Sequence, residues 1–154
     1  MAGRREEVVK FFTVDEANAC LPLVRAITRD WAQLSRDVVE RRERLAHLLS
    51  NRPKDGRDLY RDELAQVEQE LDKDALALQE YVHELRELGV EPKNGLEGLV
   101  DFPAMMEGRP VYLCWKLDEP EVLFWHEIDS GFRGRQPLTA DTLSSAADLD
   151  LDAG

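Results

Sequence analysis

Residues 13–50 read TVDEANACLPLVRAITRDWAQLSRDVVERRERLAHLLS, and their spacing decides the fold. Cys20, Val24, Ile27, Trp31, Leu34, Val38, Arg41, Leu45 and Leu48 recur alternately four and three apart. That is a heptad period, apolar everywhere but Arg41. Upstream, Thr13-Val14-Asp15-Glu16 is a capping box, in which hydroxyl and carboxylate each take one orphan amide. Pro22 removes a helical hydrogen bond wherever it lies inside a helix. The sequence therefore predicts a short helix over 13–20 and a second one starting near Leu21, with Pro22 at its first position. Downstream, Asn51-Arg52-Pro53-Lys54-Asp55-Gly56 is a polar loop carrying both breakers.

A matching seam follows. Leu64, Val67, Leu71, Asp74, Leu78, Tyr81, Leu85 and Leu88 keep the same spacing, with Asp74 as the exception. Gly89 suits the position after the helix, and Pro92 prevents continuation. Two such helices joined by a short loop form a long antiparallel hairpin of coiled-coil character. Placing Leu48 opposite Leu64 brings Arg41 within a turn of Asp74. Either the two pair across the seam, fixing register more than stabilising because desolvation offsets most of the Coulomb gain, or each reaches solvent separately. Leu23, Leu49, Leu59 and Leu76 lie off the narrow seam, which predicts packing on strands, on a second copy, or on both. A homodimer built as a four-helix bundle is the expected assembly.

The remainder of the chain changes period. Short alternating runs at 99–102, 111–117 and 122–128 read as strands, the first ended by Pro103. Glu107-Gly108-Arg109 and Asp118-Glu119-Pro120-Glu121 read as turns. The fold class is therefore α+β, a helical hairpin followed by a small three-stranded antiparallel meander. A single domain is expected over 1–139, with the hairpin at 13–89 and the meander at 96–138. Residues 140–154 are small, acidic and non-aromatic, and are expected to form a disordered tail. Pairing Leu117 with Val122 would put His126 opposite Leu113 and Trp125 opposite Cys114. His126 would then lie on the apolar face with Val111, Leu113 and Phe124.

Composition narrows the function classes. The 154 residues suffice for one domain with its own core. The net charge is −12, which argues against a nucleic-acid or anionic-membrane partner. The charge is uneven: +3 over 1–57, −8 over 58–91, −3 over 92–139 and −4 over 140–154. No apolar run is long enough to span a bilayer, and the start of the chain lacks the apolar stretch of a secretory signal. Two distant cysteines, Cys20 and Cys114, make no disulfide framework and fit a cytoplasmic protein.

The 98–138 region carries a dense set of motifs: Tyr112-Leu113-Cys114-Trp115-Lys116-Leu117, Glu119-Pro120-Glu121, Trp125-His126-Glu127 and Gly131-Phe132-x-Gly134-Arg135-Gln136-Pro137. Together with Phe12-Thr13-x-Asp15-Glu16-Ala17-Asn18 and Leu21-Pro22-Leu23-Val24, it resembles an uncharacterised bacterial family, domain of unknown function 2203. Asp118 stands where that family is expected to have glycine. The resemblance implies a family and no reaction.

Chemistry must be read from the side chains. His126 is either a core histidine donating to an acceptor or a metal ligand or acid–base group. With Glu127 and Glu119, and with Asp101 and Glu121 nearby, it would suit a divalent Zn, Mn or Fe ion. No H-E-x-x-H or C-x-x-C spacing is present. Glu80-x-x-His83 has the form of a di-iron bundle ligand pair, but His47 lacks the matching glutamate and a solvated helix face is the plainer reading. Arg133, Arg135 and Lys116 around a glycine-flanked loop would suit a small anion, or Arg135 would clamp a carboxylate. Cys114 reads as a buried small apolar residue. No Ser-His-Asp arrangement or phosphate loop is visible, so whether the chain is an enzyme stays open. Three readings follow: a homodimeric interaction module with a ligand or partner site at 112–137, a metal-dependent protein using His126, and a small-anion binder.

Overall fold

A computed structural model of the chain describes residues 9–51, 61–140 and 142. Most of the expected loop at 51–56, and all but two residues of the expected acidic tail, lie outside this set. At the start of the chain the capping box forms as its residue types require. The Thr13 hydroxyl accepts from the Glu16 amide, and the Glu16 carboxylate accepts from the Thr13 amide, both at 3.0 Å. Helix α1 (Val14–Ser50) then runs without interruption, with Pro22 inside it. The predicted break at Pro22 does not occur. One lost hydrogen bond is outweighed by burial of Ala17, Leu21 and Val24 on either side of it.

Helix α2 (Arg61–Glu87) returns antiparallel to α1. Its end is a Schellman motif. The Gly89 amide donates to the Arg86 carbonyl and the Val90 amide to the Leu85 carbonyl, with Gly89 at φ 87°. Leu48, Leu64 and Val67 close the loop end of the hairpin, with Leu45 and Leu71 against them. Beyond this small cluster, Arg41 Nη1 lies 2.5 Å from Asp74 Oδ2 and Arg41 Nε lies 3.5 Å from Glu70. Asp74 is buried, so this contact separates the small apolar cluster from the main core.

The sheet is larger than the sequence suggests. It has five strands in sequential antiparallel order: β1 (Glu91–Asn94), β2 (Leu99–Met106), β3 (Arg109–Lys116), β4 (Phe124–His126) and β5 (Gln136–Pro137). The expected stop at Pro103 is absent because β1 pairs only as far as Asp101 on that edge. The missing N–H of Pro103 therefore removes no ladder bond, and its carbonyl accepts from the Phe12 amide at 2.7 Å. Glu107 and Gly108, at φ 52° and 78°, make the tight β2–β3 hairpin.

One face of this sheet carries Val100, Phe102, Ala104, Met106, Val111, Leu113, Trp115 and Trp125, all buried in one core with Phe12, Leu21, Val24, Trp31 and Leu85. The helices thus cover the sheet, at about 25 cal/mol per Å² of apolar surface removed from water. Asn18 Oδ1 accepts from the Val122 amide at 2.7 Å, and Arg25 Nη2 donates to the Pro120 carbonyl at 3.0 Å. These two bonds pin the β3–β4 connection to α1. Leu23 and Leu76 stay 53% and 63% exposed. No helix among the described residues is long and apolar enough to cross a membrane.

Candidate metal centre

The register of β3 on β4 decides the site. Tyr112 faces His126, Leu113 faces Trp125 and Cys114 faces Phe124. This is one residue away from the expected pairing, so every side chain of β4 changes face. Trp125 takes the helix side, where a large apolar ring is buried best. His126 moves to the opposite side with Tyr112 and Cys114. On β2, Asp101 stands directly across from Cys114. Residues 127–135, including the short 3-10 turn Phe132–Gly134, cross this second face.

Three polar side chains are buried there. Asp101 and His126 are each 2% exposed and Cys114 is fully buried. His126 Nδ1 lies 2.7 Å from the Glu127 carbonyl, which can only accept, so Nδ1 carries a hydrogen. His126 Nε2 lies 3.0 Å from Asp101 Oδ2, and one proton is held between them. The other carboxylate oxygen, Asp101 Oδ1, is buried without a hydrogen-bond partner of normal geometry. The Cys114 thiol beside it is a weak donor. Burial pushes the Asp101 carboxyl up, against the pull of His126, Cys114 and Lys93. The Cys114 thiol is pushed up to about 12, first by burial and then by the Asp101 charge, with Arg135 opposing. A thiol so raised is no free nucleophile at neutral pH.

One ligand atom from each of Asp101, Cys114 and His126 lies within 4.8 Å of the other two. Ligands of a tetrahedral zinc ion, at 2.0–2.3 Å from the metal, stand roughly 3.5 Å apart. The cluster therefore needs to contract by about 1.3 Å or less to hold such an ion. The fixed Nδ1–H on a backbone carbonyl orients Nε2 as metal-bound imidazoles are oriented. A buried carboxylate oxygen met by nothing stronger than a thiol is an atom a cation would satisfy.

The other residues expected at the site do not join His126. The Glu127 carboxylate is on the surface, bound to Arg109 Nε at 2.9 Å and Nη2 at 2.5 Å, and held below its usual range by that hydrogen bond. Glu119 Oε1 accepts from the Lys116 amide at 2.7 Å and from Arg135 Nη2 at 2.5 Å. Glu121 is exposed. Arg135 packs against two aromatic rings, 4.1 Å from the Phe124 centroid and 4.8 Å from that of Phe132. Its Nη2 also donates to the Cys114 carbonyl at 3.3 Å. It clamps the loop over the sheet. Lys116 lies 3.9 Å from Asp118, and Arg133 is exposed. His83 pairs with Glu87 on the solvent side of α2.

Cys114 is the member of this cluster that sequence reasoning missed. Its signal is the alternation Tyr112, Cys114, Lys116, a polar stripe that calls for a polar partner on the facing strand.

A family model described as an uncharacterized conserved protein, DUF2203, matches residues 10–138. No curated protein and no solved structure matches the chain.

Proposed function

Since the chain belongs to the DUF2203 family of uncharacterised conserved proteins, we propose its function from the site alone: it binds one divalent transition-metal ion through Asp101, Cys114 and His126. The observation that carries this reading is the convergence of three buried donors, one of them a carboxylate with an oxygen met by no donor stronger than the Cys114 thiol. A mixed sulfur, nitrogen and oxygen set suits Zn²⁺ or Fe²⁺ and disfavours Mg²⁺ and Ca²⁺. Three protein ligands leave a position for an outside group, which is the arrangement of reactive rather than structural zinc sites. Such an ion acts as a Lewis acid on a bound oxygen. The chain's own part is to hold Nε2 in place through Glu127, to exclude water with Phe132 and Arg135, and to bring the thiol and carboxyl together across β2 and β3.

The test is metal content after chelation and reloading of the full chain with zinc. The wild type should retain about one ion per chain, as should Glu127→Gln, while His126→Ala loses it and Cys114→Ser binds it more weakly. A wild type that retains none overturns the reading. A self-association module is the second reading, supported by the exposure of Leu23, Leu49 and Leu76 on the helices. A monomer at micromolar concentration in light scattering removes it.

A further inference from the structure

Beside Asp101 and His126 lies a small pocket of about 150 Å³, lined also by Lys93, Leu99, Tyr112, Ile128 and Phe132. Resting on the metal reading, we propose that this pocket takes a small organic carboxylate with an apolar body, its charge met by Lys93.

Charge sets the valence of the ligand. A divalent ion bound by one thiolate, one carboxylate and one neutral imidazole is locally neutral. The one cationic side chain lining the pocket is then Lys93, exposed at its edge on β1. Its Nζ sits 5.4 Å from the Tyr112 ring centroid, and it makes no ion pair among the described residues. Its field already acts on Asp101, which places it within electrostatic reach of the centre. One positive charge matches a monoanion. A phosphate dianion calls for several N–H donors or an arginine fork, and Arg135 is already committed to Glu119 and the Cys114 carbonyl.

Shape sets the rest. The volume equals about five waters, or one benzene-sized body. Leu99 and Tyr112 line the interior, and Ile128 and Phe132 stand at the rim 48% and 39% exposed. Apolar side chains left open around a buried polar floor suit a ligand with one charged and one greasy end.

The full chain loaded with Co²⁺ reports both steps separately in its visible spectrum. Benzoate should shift the cobalt bands saturably, and inorganic phosphate should not. Lys93→Gln should keep the cobalt stoichiometry and melting temperature of the wild type while binding benzoate about tenfold more weakly. Cobalt bound with no saturable benzoate shift, an equal shift with phosphate, or an unchanged affinity in Lys93→Gln overturns the carboxylate pocket and leaves the metal reading standing. Failure to take up cobalt at all overturns both.

Discussion

Metal binding at Asp101, Cys114 and His126 should release two protons per ion near neutral pH. The number follows from the hydrogen bonds. Without metal, the Cys114 thiol keeps its proton, because burial beside Asp101 pushes its pKa up to about 12. A second proton is held between His126 Nε2 and Asp101 Oδ2, 3.0 Å apart. The Nδ1 hydrogen stays in place on the Glu127 carbonyl throughout. Ligation needs a thiolate, a bare Nε2 and a carboxylate, so the first two protons leave and the third remains. Each released proton competes with the ion, so affinity falls as pH drops. For two protons it falls by about a hundredfold per pH unit over the range where the apo site holds both. Cys114→Ser removes the thiol proton from the count, leaving one proton and about a tenfold change per unit. Calorimetric titration of zinc in buffers of different ionisation enthalpy gives the proton number directly. A wild-type count of one or none, unchanged in Cys114→Ser, would refute the thiol as a ligand.

Three stability measurements probe the scaffold. Arg41→Leu leaves Asp74 buried and unpaired, and should lower unfolding stability in urea by about 1–3 kcal/mol, whereas Arg41→Leu with Asp74→Leu should recover most of that loss. Pro22→Ala restores a donor to the Asn18 carbonyl inside α1 and should raise stability by about 1–3 kcal/mol; a decrease would show that the proline fits a local bend. Gly89→Ala places a side chain at φ 87°, with its Cβ 3.3 Å from both the Lys10 Cβ and the Phe12 ring, and should cost about 1–2 kcal/mol in thermal unfolding.

The helical half was readable because its signals are local and periodic. The capping box, the two heptad seams and the Gly89 stop each depend on residues within a turn or two of one another. Arg41 and Asp74 marked their own contact by interrupting two apolar rows. Pro22 misled because a local hydrogen-bond rule yields to burial of Ala17, Leu21 and Val24 on a sheet that spacing alone does not show. Pro103 misled for the related reason that its effect depends on whether its edge is paired. The site was partly legible. His126 and Asp101 stood out as polar residues in apolar runs, but the β3–β4 connection is long enough to permit more than one register. A one-residue slip moved His126 from the hydrocarbon face to Cys114. The preference of Trp125 for the helix-covered face and the polar stripe of β3 both favour the observed register, and they are global rather than local signals.

X-ray absorption at the zinc edge of the reloaded protein reads the ligands of the bound ion directly. One sulfur scatterer at about 2.3 Å is expected, with nitrogen and oxygen at about 2.0–2.1 Å, and the sulfur shell should be lost in Cys114→Ser. A shell of nitrogen and oxygen alone, two sulfurs, or a sulfur that survives in Cys114→Ser would contradict it.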